Sequence, residues 1–119
     1  MKILVVDDDE HILRLYKEEL EEEGYEVTLA RTGAQGLELF EKTDPDLVTL
    51  DILIPDMDGI TLLRRMKDLK PRVPVIMSTA YDYRDDFAVW ASEAYIVKSA
   101  DLTELKSAIK KLLAKNAEA

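Results

Sequence analysis

Ile3-Leu4-Val5-Val6-Asp7-Asp8-Asp9-Glu10 is the stretch whose reading decides the fold. Four consecutive apolar residues, three of them β-branched, read as a strand covered on both faces, and an acidic run closes it at one end. The interruption at Asp7 makes the run too short for a signal peptide or a membrane span. The pattern returns at Leu47-Val48-Thr49-Leu50 before Asp51, and at Val73-Pro74-Val75-Ile76-Met77, where Pro74 has to sit at a strand start because it has no N–H to give. These three are expected as interior strands. Tyr25, Val27 and Leu29 alternate with Glu26, Thr28 and Ala30, the pattern of an edge strand with one face less well covered. Ala94-Tyr95-Ile96-Val97 is short and suits the opposite edge.

Segments of helical period separate the strands. Between Asp9 and Gly24, Ile12, Leu13, Tyr16 and Leu20 share a face while Leu15 falls off it, a candidate exposed contact. Thr32 with Gln35, and Asp101 with Glu104, read as capping boxes. Leu62, Met66 and Leu69 mark a helix before Pro71, and Leu102, Leu105, Ile109, Leu112 and Leu113 form the stripe of a last one. Tyr83, Phe87, Trp90 and Ala91 have the spacing of a buried helical face and read as core. Strands alternating with helices along 119 residues predict one α/β domain with a parallel sheet.

Composition narrows the function. Sixteen basic residues against 25 acidic ones leave a net charge of -9, the wrong sign for binding nucleic acid or anionic lipid. The absence of cysteine removes disulfides, thiolate zinc sites and thiol nucleophiles together. A soluble, cytoplasmic protein is expected.

In an open parallel α/β sheet, ligands bind beyond the carboxyl ends of the strands. Past the first interior strand stand Asp7, Asp8, Asp9 and Glu10; past the others stand Asp51, then Ser78 and Thr79; Lys98 follows the last strand. Singly, each has a plain explanation. An acidic run before a helix caps it, and Lys98 can pair with Asp51 in a purely structural ion pair. Gathered on one edge they mean more. Two or three clustered carboxylates repel unless a hard divalent cation joins them, and magnesium keeps coordination positions open for phosphate oxygens. A carboxylate so placed can attack phosphorus, while Lys98 and the Thr79 hydroxyl meet the phosphoryl oxygens.

At these residues the chain resembles the receiver domains of bacterial two-component response regulators, the CheY type. The motifs are Val5-Val6-Asp7-Asp8, Leu50-Asp51 followed by Pro55-Asp56-Met57-Asp58-Gly59, Ser78-Thr79-Ala80, and Tyr95-Ile96-Val97-Lys98, spread from Lys2 to about Leu113. The resemblance implies a doubly wound five-stranded parallel sheet, helices on both faces and strand order 2-1-3-4-5, an order for which the CheY fold is itself the usual illustration. It also implies Asp51 as phosphoacceptor, with Asp7, Asp8 and the Leu53 backbone carbonyl around Mg2+ and Asp8 as the more direct ligand. Lys98 and Thr79 would act on the phosphoryl group, and Thr79 and Tyr95 would switch. The implied donor is a sensor histidine kinase or a histidine phosphotransfer protein, with Ile12 and Leu15 as its apolar contact. The expected state is a monomer or a weak phosphorylation-dependent dimer. Residues 1–119 are expected to form a single receiver domain without an output domain in this chain, either standing alone or cut from a longer protein.

Three departures from the family pattern stand out. Ser99 stands where proline usually follows the lysine, and a cis bond there would cost about 2.5 to 4 kcal/mol. Ser92-Glu93-Ala94 replaces the usual Gly-Ala before the switch aromatic. Leu53 and Tyr81 lie two residues beyond Asp51 and Thr79, where side chains can shade an acyl phosphate from water, so a long-lived phosphoryl group is expected.

Two rival readings stay open on sequence: a magnesium-dependent phosphohydrolase and a non-phosphorylated interaction module. The hydrolase places a second Asp two residues after the first as acid and base, where this chain has Leu53. Turnover catalysis is not expected beyond self-catalysed acceptance and slow loss of the phosphoryl group. His11 reads as a surface residue, and Glu18, Glu19, Glu21, Glu22 and Glu23 as a solvated helix face.

Overall fold

The computed structural model describes residues 1–79, 92–98 and 101–118. Along them run β1 (Lys2–Val6), α1 (Glu10–Glu22), β2 (Glu26–Ala30), α2 (Gly33–Thr43), β3 (Leu47–Leu50), α3 (Gly59–Leu69), β4 (Val75–Thr79), β5 (Ala94–Val97) and α4 (Thr103–Glu118). The strands pair in parallel in the order β2-β1-β3-β4-β5. Both predicted edges and all three predicted interior strands therefore stand where the hydrophobic pattern put them. The helix expected around Tyr83, Phe87, Trp90 and Ala91 lies outside the described residues.

Because side chains alternate across a strand, the core divides into two halves. Leu4, Val6, Val48, Leu50, Val75 and Met77 face α2 and α3, where Phe40, Leu62, Leu63 and Met66 cover them. Ile3, Val5, Leu47, Ile76 and Ile96 face α1 and α4, under Leu13, Tyr16, Leu20, Leu105, Ile109 and Leu113. Each fully buried Leu, Ile or Phe contributes about 1.5–3 kcal/mol, enough to hold both helix layers against the sheet. The α3 stripe stops short of the sequence reading, since Leu69 is half exposed and Leu63 is buried in its place.

The helix boundaries follow their caps. Asp9 accepts from the backbone N–H groups of His11 and Ile12 at 2.8 and 3.4 Å. Thr32 Oγ1 accepts from the Gln35 N–H at 3.0 Å, while Gln35 Oε1 reaches back to the Arg31 N–H at 2.8 Å, one residue earlier than in a standard capping box. At α1's end Gly24 turns the chain at φ 93°, and its N–H satisfies the Glu21 carbonyl.

β4 begins at Val75, two residues later than expected. Pro74 contributes only its carbonyl, which accepts from the Val48 N–H at 3.0 Å, and the strand runs on through Thr79 because Ser78 and Thr79 pair with Ile96 and Val97. The departure at Glu93 has a structural account: its carboxylate accepts from the Val75 N–H at 2.7 Å and from the Lys67 ammonium, and its own N–H returns a bond to the Val75 carbonyl at 3.0 Å. Nor are the acidic residues of α1 all merely solvated. Lys106 of α4 pairs with Glu19 at 2.8 Å and Glu23 at 3.7 Å, joining the two helices of that layer.

Candidate functional site

β1 and β3 continue their backbone bonding just past their ends. The Asp7 N–H donates to the Ala30 carbonyl and the Asp51 N–H to the Val6 carbonyl, each at 3.0 Å. Both carboxylates are thereby fixed side by side on the α1/α4 face, and both are buried. Lys98, one residue beyond β5, donates to Asp51 Oδ2 at 2.8 Å and closes an ion pair with Asp7. Asp7 also accepts from the Asp9 N–H at 2.9 Å, and Asp51 Oδ1 from the Leu53 N–H at 3.2 Å.

Burial pushes the Asp7 carboxyl above its ordinary value, against the opposing pull of its Lys98 hydrogen bond. Burial pulls Lys98 downward, but its hydrogen bonds to Asp51 and Asp7 outweigh that and leave it raised, hence firmly cationic. One cation thus faces two buried carboxylates. Exposed Asp8 adds a third, and oxygens of Asp7, Asp8 and Asp51 lie within 4.8 Å of one another. An all-oxygen donor set with an excess of negative charge fits a hard divalent cation such as Mg2+. Of the acidic run, then, Asp7 and Asp8 belong to the site, Asp9 caps α1 and Glu10 pairs with Arg31.

The loop after Asp51 is pinned at several points. Leu53 and Asp58 form an antiparallel bridge, and Asp58 caps α3 through the Ile60 N–H at 3.0 Å. Asp56 spans to α2, accepting from the Gly33 N–H at 2.7 Å and the Ala34 N–H at 2.9 Å, bonds that hold its carboxyl below the ordinary value. A β-carbon on Gly59 would stand 2.3 Å from the Asp51 carbonyl oxygen and 2.6 Å from Ile52 Cα. Only glycine lets α3 start this close to the strand end that carries Asp51. The Leu53 side chain is 50% exposed beside this loop.

The backbone places Thr79 opposite Val97 and Tyr95 opposite Met77, while the side-chain roles expected of Thr79 and Tyr95 lie outside the described residues. So do Tyr81 and the Lys98–Ser99 peptide. Ile12 and Leu15 are half-buried. Leu15 is therefore not the freely exposed residue its helical angle predicts: it is half-buried against the edge of this core half, on the flank of α1 that also carries Glu19, the partner of Lys106 on α4. His11 is exposed. Sequence reasoning missed a further contact, a hydrogen bond of 2.6 Å between the Tyr16 hydroxyl and Ser78 Oγ, both buried. A tyrosine within an apolar stripe was the available signal, since a buried phenol needs a partner.

A doubly wound parallel sheet with a cation-binding acidic pocket and a lysine at its carboxyl end defines a class of phosphoryl-site proteins. The chain belongs to the response regulator receiver domain family, whose model matches residues 3–110. It is 40% identical over 115 residues to sporulation initiation phosphotransferase F of Bacillus subtilis, covering 94% of this chain and 93% of that one. Longer relatives also match, and the chain spans 48% of the alkaline phosphatase synthesis regulatory protein PhoP of the same organism at 35% identity. Among solved structures, the response regulator TrrA of Thermotoga maritima in complex with Mg2+-BeF is 44% identical with a TM-score of 0.90, covering 93% of this chain and 97% of that one. TrrA in complex with the histidine kinase ThkA gives a TM-score of 0.89 at the same identity, covering 94% and 97%. Among the described residues, no helix is long and apolar enough to cross a membrane.

Proposed function

We propose that this domain accepts a phosphoryl group on Asp51 from a phosphohistidine of a kinase or phosphotransfer partner and relays the event through a change of surface. The observation that carries the reading is the placement of Asp51 Oδ2 2.8 Å from Lys98, with Asp7 and Asp8 oxygens close enough to share one cation. In the transfer, an Asp51 oxygen forms a bond to phosphorus as the bond from phosphorus to the donor imidazole nitrogen breaks; the electron pair leaves with the imidazole, which then takes up a proton. Lys98 turns its positive charge from the Asp51 carboxylate to the phosphoryl oxygens. Asp7, Asp8, Asp51 and the Leu53 carbonyl hold Mg2+, which when bound neutralises charge on those oxygens. Thr79 and Tyr95 respond to the new group. Ile12 and Leu15, half-buried on α1, the helix that follows the acidic run, supply the apolar contact to the donor.

Leu53 in place of a second carboxylate supports acceptance rather than turnover, because no acid stands there to protonate a leaving group. Incubation with acetyl phosphate and Mg2+, followed by intact mass, tests the reading. One stable addition in the native chain and none in Asp51→Asn is the expected result. Continuous release of phosphate would make the domain a hydrolase, and no addition at all would make it a binding module.

A further inference from the structure

The Tyr16–Ser78 pair is a polar contact inside one half of the core. It sits among Ile3, Val5, Leu13, Leu20, Leu47, Ile76 and Ile96, on the face whose other buried polar side chains are Thr49, Asp7 and Asp51. Two buried hydroxyls that satisfy each other give little net stability over a Phe and an Ala, because the bond only offsets their desolvation. Their position is more telling. Leu50 and Met77 are partners across β3 and β4, so the residues that follow them, Asp51 and Ser78, stand next to each other on the face that carries the pocket. Tyr16 lies within electrostatic reach of Lys98, Asp7 and Asp51, and burial raises its pKa, which keeps the hydroxyl protonated. Tyr16 also lies one helical turn beyond Ile12 and next to Leu15. Among the described side chains, this is the one hydrogen bond that joins α1 to a strand of the sheet.

We propose that Tyr16 and Ser78 are a positioning pair for phosphoryl acceptance: they tie the pocket end of β4, next to Asp51, to the helix that meets the donor. The proposal rests on the phosphoacceptor reading and extends it to two residues that touch neither the cation nor the phosphoryl group. The pair sets where β4 ends relative to Asp51, and therefore where Thr79, the next residue, is presented.

Tyr16→Phe, Ser78→Ala and the double variant test it, because all three keep the core apolar and nearly unchanged in shape. Three quantities are compared with the native chain: the rate of labelling by acetyl phosphate, the Kd for Mg2+ alone, and thermal unfolding. Each single variant is expected to label about tenfold more slowly with Mg2+ affinity kept, and the double no faster than the slower single, as for two residues acting through one bond. A structural role predicts the opposite for the double variant, since removing both hydroxyls leaves no unpaired group and restores the native rate. Restoration in the double variant, or native rates in both singles, overturns the proposal while the native chain still labels. Failure of the native chain to label overturns the phosphoacceptor reading itself, and this pair's role with it.

Discussion

The Lys98 ammonium stands 2.8 Å from Asp51 Oδ2 and at the same time pairs with Asp7, so one positive charge serves two carboxylates in a pocket where all three side chains are nearly buried. The balance is negative by one charge before exposed Asp8 is counted. That deficit makes the site a receptor for a cation, and it sets how each member responds to substitution.

Removing Lys98 leaves Asp7 and Asp51 buried without their cation. Lys98→Ala is expected to lose about 3 kcal/mol of stability in the presence of a chelator, the scale for breaking a buried pair. Added Mg2+ restores part of that loss, so denaturant unfolding with and without Mg2+ should differ more for this variant than for the native chain. An equal response in the two would detach Lys98 from the carboxylate balance.

Mg2+ at about a hundred times its Kd should add about 2.7 kcal/mol to the stability of the native chain. Asp8→Asn, which deletes the exposed ligand, is expected to weaken Mg2+ roughly tenfold, equivalent to about 1.4 kcal/mol. The raised Asp7 carboxyl gives the affinity a pH dependence. Folding favours its protonated form, so its stabilising contribution is complete below the unfolded value of 3.8 and is lost as pH rises through the folded value. Mg2+ needs the carboxylate, so its affinity should climb over that same range. Calorimetric titration across pH measures both effects, and a flat profile would contradict the assignment of Asp7.

Gly59→Ala forces a β-carbon against the Asp51 carbonyl and Ile52 Cα, which are backbone and cannot swing aside. A stability loss of about 3 kcal/mol, at the upper end for overpacking, is expected, together with shifted Asp51 and Ile52 amide signals in NMR spectra. Gly33→Ala offers the contrast, since its β-carbon meets only the flexible Met57 side chain and the cost should be smaller.

Leu53 stands two residues beyond Asp51 with an apolar side chain that is half exposed, and the expected shading of the acyl phosphate rests on it. Replacing it by Asn brings a polar group, and with it water, next to the acyl phosphate. Phosphoryl loss from Leu53→Asn should be several times faster than from the native chain, a modest change on a scale where about 1.4 kcal/mol is tenfold. An unchanged decay rate would count against shading.

Leu15→Ala separates docking from chemistry. Transfer from the cognate kinase should fall while labelling by acetyl phosphate persists, because the small donor does not need α1. Since Leu15 also packs on the core rim, unfolding has to be followed in parallel. Equal transfer from the kinase would remove Leu15 from the contact.

The division into edge and interior strands and the carboxylate pocket were legible because both rest on short-range pattern, while the full strand order followed from the family resemblance. Val5-Val6-Asp7 and Leu50-Asp51 each show an apolar run ending in charge, and alternation at Tyr25, Val27 and Leu29 marks an edge. What stayed hidden depends on pairs remote in sequence. Ser78 is an ordinary strand residue until Tyr16, 62 positions earlier, is seen to reach it. Asp56 reads as part of a loop motif, and its hold on the first turn of α2 follows only from the fold. Leu15 was misplaced for a different reason: a helical wheel gives direction but not how far the neighbouring layer extends.

Glu93 fixes the root of β5 through its carboxylate, which accepts from the Val75 N–H, its own N–H, which donates to the Val75 carbonyl, and its ion pair with Lys67, while Lys98 stands at the strand's far end. β5 is thus anchored at its base and loaded at a tip that is laced to β4 through Ile96 and Val97. A pull on Lys98 is expected to move Ile96 and Val97 together with their partners Ser78 and Thr79 and to leave the base in register. A chain with glycine in place of Glu93 lacks the side-chain part of that clamp, and the same pull could then spread into sliding of the whole strand.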